Sequence, residues 1–125
     1  MALSSAMEDY LEAVFMLQKR KGYVRCVDVA DQLGVKKPSV SRAVKELSKS
    51  GHIMKTANGT LSLTEQGLQL AEQIYEKHRF FTKQLIDAGV DPKTAESDAC
   101  RIEHVISKET FERLKAARKL SEKAV

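Results

Sequence analysis

The sequence contains no tryptophan, two prolines, two cysteines and six glycines in 125 residues. So little proline and glycine excludes collagen-like and linker-like chains. Two cysteines are too few for a disulfide scaffold, so we expect each to be a buried apolar residue or a metal ligand. No apolar run approaches the roughly 18 residues that a membrane span needs, and the start lacks the regions of a signal peptide. These absences favour a cytoplasmic protein with no membrane partner.

Positive charge is concentrated in one part of the chain. Residues 17–55 contain ten lysines and arginines and three acidic residues, whereas the whole chain has a net charge of +4. The remainder is therefore mildly acidic. A basic segment of this kind is typical of a protein with one surface for a polyanion. A solvated lysine-rich surface would explain the charge alone equally well.

Hydrophobic periodicity predicts a mainly α-helical fold with one β-hairpin. Ser5 and Glu8 have the spacing of a capping box, and Asn58-Gly59 between short apolar segments predicts a hairpin over residues 52–63. We place a domain boundary near residue 64, which gives domains 1–64 and 65–125 with the long helix belonging to both parts. The predicted helices span residues 5–20, 27–33, 38–50, 64–88, 92–106 and 107–114, the last continuing to 120 at most before a frayed end at 121–125.

The segment from Val27 to Val44 has the spacing of a helix-turn-helix motif. Ala30 is small where two helices cross, Gly34 supplies the turn, and Val35, Val40 and Val44 are expected to fill the crossing. With the hairpin as a wing, this predicts DNA binding in the major groove; the alternative is a helical hairpin that only packs. The residues predicted to face DNA are Lys36, Lys37, Pro38, Ser39, Ser41, Arg42, Lys45, Lys55 and Asn58.

A second group of residues has the chemistry of metal ligands. Cys100, Glu103 and His104 fall at i, i+3 and i+4, on one face of a helix. Asp9 and Glu12 share a face of the first helix, and the long helix carries one histidine. Such a mixed set suits Fe(II), Mn(II), Co(II), Ni(II) or Zn(II). An ordinary helix surface, and acidic residues that favour a helix N-terminus, are the alternatives.

Three segments resemble the diphtheria-toxin-repressor family: residues 98–107, 7–12 and 77–79. Members of that family are dimeric, metal-activated transcription regulators of the iron or manganese response. The iron branch resembles this chain at Cys100 but has methionine at the position of Asp9, whereas the manganese branch has glutamate at the position of Cys100. The length leaves no room for the SH3-like third domain of longer members. The metal ligands that the resemblance implies are Asp9, Glu12, His78, Cys100, Glu103 and His104.

The sequence therefore predicts a homodimeric, metal-dependent repressor that binds operator DNA and controls iron or manganese homeostasis. We expect Fe(II) slightly ahead of Mn(II), with Co(II), Ni(II) or Zn(II) as substitutes, and no small organic substrate. Metal bridging the first helix to the later helices would fix the spacing of the two recognition helices. The alternative is a winged-helix regulator gated by a small organic ligand or a protein partner. A metallohydrolase with Glu103 as base is disfavoured, because no set of nucleophile, base and orienting group is present.

Dimerisation is expected from the apolar content of the second half. This content exceeds what a small helical tail needs for itself, although the same residues would also suit an intramolecular core. The residues concerned are Phe80, Phe81, Leu85, Ile86, Val90, Ile102, Val105, Ile106, Phe111 and Leu114.

Overall fold

The computed structural model describes residues 3–123. The chain divides into two compact units after Gln73, within the long helix, and the predicted boundary near residue 64 stays a prediction. None of the helices in the described range is long and apolar enough to cross a membrane. The elements are α1 Ser5–Lys21, β1 Val24–Arg25, α2 Cys26–Leu33, α3 Lys37–Lys49, β2 Ile53–Lys55, β3 Thr60–Leu63, α4 Glu65–Asp87, α5 Pro92–Val105 and α6 Lys108–Lys123.

Hydrogen-bonding side chains begin the helices close to the predicted positions. Thr64 Oγ1 accepts from the Gly67 N–H at 3.0 Å, and Ser107 Oγ accepts from the Thr110 N–H at 3.1 Å. The first helix is different, because its cap is Ser4, which accepts from the Met7 N–H at 3.2 Å. The predicted capping box of Ser5 and Glu8 is therefore wrong by one residue.

Helices α2 and α3 form the predicted helix-turn-helix, joined through Gly34 with φ +67°. Ala30, Val40 and Val44 are buried, because each lies on the inward face of its helix. Val35 is 37% exposed, so the expectation that it fills the crossing is wrong. Its N–H donates to the carbonyl of Ala30 at 3.0 Å, so its backbone closes the turn that ends α2.

The three strands form an antiparallel sheet in the order β1-β3-β2. The hairpin of β2 and β3 confirms the predicted wing. Strand β1 pairs Arg25 with Thr60 and was not predicted, because two residues are too few to show an alternating pattern. The wing therefore supplies two strands of a three-stranded sheet, with β3 in the centre and β2 at one edge.

The start of α4 lies unusually close to the chain before β2. The Thr64 N–H donates to the His52 carbonyl at 3.1 Å, and Thr64 Oγ1 donates to the Gly51 carbonyl at 2.6 Å. A Cβ placed on Gly67 would lie 1.9 Å from the same His52 oxygen. Glycine at position 67 is therefore a packing requirement of the first unit.

The second unit is built around a small aromatic core. Phe81, Ala99 and Phe111 are buried, and Phe80, Ile102 and Ile106 pack against them. The rings of Phe80 and Phe111 meet edge to face with centroids 5.5 Å apart. This part of the predicted apolar set forms an intramolecular core.

Other residues of that apolar set remain on the surface of the chain. Val105 is 81% exposed, and Ile86 and Leu114 are also exposed. The apolar set therefore divides between a core and a surface. These exposed residues are the ones available to a second copy of the chain.

Ion pairs join α4 to α6. Glu76 accepts from Lys115 Nζ at 2.9 Å and raises the pKa of that lysine. Arg118 pairs with Asp87 and lowers the pKa of that carboxyl. Helix α6 continues through residues 121–123, so the predicted frayed end is wrong there; Ala124 and Val125 lie outside the described residues.

Candidate functional site

The outer face of α3 carries most of the residues predicted to contact DNA. Val40, Ala43, Val44 and Leu47 are buried, so the helical period turns the intervening positions outward. Lys37, Pro38, Ser41, Arg42 and Lys45, with Lys36 just before the helix, are exposed, and Ser39 is half-buried.

The wing and α3 share one basic surface. Lys55, at the end of β2, is exposed and lines the same shallow hollow as Arg42 and Lys45. The chain before β2 is held to the end of α3, because the His52 N–H donates to the Leu47 carbonyl at 2.9 Å. Lys45 and Lys55 are 10 positions apart in sequence and lie on two elements, which therefore place like charges side by side, as a surface that binds phosphate requires.

The side chain of Asn58 is engaged within the turn of the wing. Its Oδ1 accepts from Thr60 Oγ1 at 3.1 Å and also from Thr56 Oγ1. Its backbone carbonyl accepts from Arg25 Nη1 at 2.9 Å. Asn58 thus shapes the turn, and because it is exposed its contact with DNA stays a prediction. The sequence did not predict the contact of Arg25 with this turn, because that contact depends on the tertiary pairing of β1 with β3.

Three donors of different chemistry converge on α5. One ligand atom each from Cys100, Glu103 and His104 lies within 4.8 Å of the others. Glu103 is 2% exposed and the other two side chains are partly buried. The i, i+3, i+4 spacing therefore brings the three side chains together on one face of α5, as the sequence predicts.

The carboxylate of Glu103 is the centre of this group. Its Oε2 lies 2.9 Å from His78 Nδ1 on α4, and its Oε1 lies 3.5 Å from His104 Nε2. Among the residues that the structure describes, Oε1 has no hydrogen-bond partner. A buried carboxylate oxygen without a hydrogen bond is costly. A divalent cation would compensate it, so the donor set fits a metal.

The remaining predicted ligands, Asp9 and Glu12, belong to the first unit. They lie three residues apart on α1, on one face of that helix. Glu12 is 7% exposed and Asp9 is half-buried. Buried carboxylates are rare unless they are paired or bind a metal, so the burial of Glu12 is compatible with a ligand. The assignment of Asp9 and Glu12 as metal ligands stays a prediction.

Comparisons with known proteins match both halves of the chain. Residues 2–58 match the family described as "Iron dependent repressor, N-terminal DNA binding domain". Residues 64–119 match "Iron dependent repressor, metal binding and dimerisation domain". The two matches follow one another in the order of the two units.

Individual relatives agree with the family matches. An HTH-type transcriptional regulator of Methanocaldococcus jannaschii is 33% identical over 115 residues, which cover 90% of this chain and 92% of the relative. The HTH-type transcriptional regulator MntR of Listeria monocytogenes is 35% identical over 109 residues, 87% of this chain and 77% of the relative. The solved structure of the manganese regulator SloR is similar with a TM-score of 0.81 and 28% identity, over 95% of this chain and 55% of that one.

This chain therefore spans about half the length of SloR and most of the other two relatives. The matches bring together a DNA-binding domain and a metal-binding and dimerisation domain. The chain belongs to the iron-dependent repressor family and is a metal-dependent DNA-binding transcriptional regulator rather than an enzyme.

Proposed function

We propose that this protein is an operator-binding repressor of iron or manganese homeostasis, activated as a homodimer by Fe(II) or Mn(II). The observation that carries the proposal is the buried Glu103 carboxylate, with His78, Cys100 and His104 around it. One of its oxygens has no hydrogen-bond partner within the described part of the chain. Without a bound cation, an apolar residue at position 103 would stabilise the fold more than this buried carboxylate does.

The proposed ligands are the four donors of α4 and α5 together with two carboxylates of α1. Within the second unit, the proposed donors are two imidazoles, one thiolate and one carboxylate, that of Glu103. Mn(II) prefers a set with more carboxylates. The family resemblance implies that Asp9 and Glu12 complete the set. A regulator gains its response when metal binds the form with higher DNA affinity more tightly than the other form.

The identity of the metal depends on one residue in particular. The Cys100 thiolate is a soft donor and favours Fe(II) over Mn(II), whereas Asp9 and Glu12 favour the harder ion. We infer a slight preference for Fe(II), although the relative SloR is described as a manganese regulator. The two preferences are close enough for a single ligand exchange to reverse them.

The test is DNA binding by the metal-free protein, with Mn(II), Fe(II) or Zn(II) added in turn without oxygen. Because the operator is unidentified, we would select sites from random duplexes with the Mn(II)-loaded and Fe(II)-loaded proteins. Affinity for the selected site should rise with at least one of the two ions, and a scrambled duplex serves as the control. Equal affinity with and without every metal would refute the proposal and leave a metal-independent regulator.

Replacing Cys100 with glutamate should shift the metal response toward Mn(II). The substitution exchanges a soft donor for a hard one at the same helical position, so the concentration of Mn(II) needed for DNA binding should fall relative to that of Zn(II) or Co(II). Cys26→Ala is the matched control, because Cys26 is the other half-buried cysteine and lies at the start of α2. Identical metal rankings for wild type and Cys100→Glu would show that Cys100 is not a ligand.

Arg42→Ala and Lys55→Ala should weaken DNA binding in different ways. Arg42 lies on α3, the second helix of the helix-turn-helix and its proposed recognition helix. Arginine there can donate two hydrogen bonds to guanine, so its loss should cost about 1–3 kcal/mol at one base position per half-site. Lys55 lies on the wing, so its loss should weaken all sequences alike and reduce the salt dependence by about one phosphate. Binding to single-base operator variants over a salt series separates the two effects. Unchanged base discrimination in Arg42→Ala would overturn the assignment of this face.

A further inference from the structure

The turn of the wing is tied to the body of the first unit by one exposed side chain. Arg25 Nη1 donates to the Asn58 carbonyl at 2.9 Å. A Cβ on the next residue, Gly59, would lie 3.4 Å from the same Nη1 atom. The guanidinium group therefore packs directly against the turn that connects β2 to β3.

Arg25 is itself held firmly at its backbone. Its N–H donates to Asp28 Oδ2 at 2.9 Å, and β1 pairs it with Thr60. Asp28 is in turn held by Lys21 Nζ at 2.6 Å, and this bond lowers the pKa of the Asp28 carboxyl. A line of hydrogen bonds thus runs from the end of α1 through the first turn of α2 to the wing.

Apart from the pairing of β1 with β3 at Thr60, the other hydrogen bonds of the turn in the described residues are local. The side chains of Thr56, Asn58 and Thr60 bond to one another, and the Gly59 N–H donates to the Thr56 carbonyl at 3.0 Å. Such bonds shape a turn but do not anchor it to the helices. A bond from a charged donor is stronger than one between neutral groups, so the guanidinium of Arg25 is the main side-chain anchor of the turn.

We propose that Arg25 is a positioning residue for DNA binding, which fixes the wing so that Lys55 meets the DNA backbone in the right place. This inference rests on the proposed DNA-binding function. A fixed wing avoids the entropic cost of ordering a mobile one when the complex forms. We call the hydrogen bond from the Arg25 guanidinium to the Asn58 carbonyl the brace. Its removal should therefore weaken DNA binding through the wing and leave metal binding unchanged.

The experiment compares Arg25→Met, which keeps the length but removes the donors, with Arg25→Lys, which keeps a charged donor. In the metal-loaded protein, Arg25→Met should lower affinity for the selected duplex about tenfold, and Arg25→Lys should restore most of it. In the background of Lys55→Ala, Arg25→Met should have little further effect, because both substitutions remove the same contact. Losses that multiply would assign Arg25 to a direct DNA contact and overturn the inference, as would unchanged binding in Lys55→Ala.

Amide hydrogen exchange of the DNA-free protein gives a separate measurement. The amides of Gly59 and Thr60 should exchange faster in Arg25→Met, return to wild-type rates in Arg25→Lys, and be unaffected by Lys55→Ala. Unchanged exchange in Arg25→Met overturns the brace even if the wild-type protein binds DNA as proposed. Failure of the wild-type protein to bind DNA with any metal refutes the proposed function instead, whatever the exchange rates show.

Discussion

Replacing Glu103 with glutamine should abolish the response of DNA binding to metal. The substitution keeps the size of the side chain but removes the charge from the oxygen that lacks a hydrogen bond. Loss of an outer-shell partner already costs about 10–100-fold in metal affinity, so loss of a central ligand should cost about 100-fold or more. Metal titrations followed by DNA binding would measure the shift.

Glu96→Gln is the matched control for that experiment. Glu96 is exposed on the same helix, so the identical chemical change there should leave the metal response as it is. Thermal unfolding adds a second readout, because metal should raise the melting temperature of wild type and of Glu96→Gln but not of Glu103→Gln. A wild-type metal response in Glu103→Gln would remove the observation on which the proposed metal centre depends.

Gly67→Ala should destabilise the first unit, although alanine is the better helix former. Helix propensity alone favours alanine by about 1 kcal/mol. The new Cβ would lie 1.9 Å from the His52 oxygen, and overpacking of a rigid site costs about 1–3 kcal/mol or more. Backbone cannot move aside as the end of a flexible side chain can, so the clash should decide the sign.

Urea unfolding of Gly67→Ala would measure this destabilisation directly. Gln69→Ala is the control, because Gln69 is an exposed position on the same helix and should change stability by less than about 0.5 kcal/mol. The clash also presses on the connection between α3 and β2, so Gly67→Ala should weaken DNA binding as well. A more stable Gly67→Ala protein would mean that propensity outweighs the contact.

The sequence predicts those parts of the fold that depend on local chemistry. The turn at Gly34, the hairpin at Asn58-Gly59 and the shared face of Cys100, Glu103 and His104 on α5 each follow from neighbouring residues or from helical period. Strand β1 and the requirement for Gly67 do not, because both are set by contacts with residues distant in sequence. The exposure of Val35 is a similar case, since hydrophobicity alone cannot say which side of a tight turn a residue will occupy.

The candidate site divides in the same way. Cys100, Glu103 and His104 could be predicted from spacing, whereas the bond between His78 and Glu103 depends on the packing of α4 against α5. The local bonds of the Asn58 side chain could not be predicted from the sequence, because a turn residue can equally well face a ligand or its own backbone. Arg25 carried no sequence signal beyond its charge.

The hydrogen bonds among the side chains of the wing turn have a consequence for the evolution of DNA specificity in such regulators. Since Thr56, Asn58 and Thr60 bond to one another, a substitution there would cost structure before it changed any preference for DNA sequence. Ser41 and Arg42 are exposed positions of α3, so substitutions there should disturb the fold less. New operator specificity would therefore evolve most easily by exchange of side chains on α3. The wing would stay unchanged and contact the duplex irrespective of its sequence.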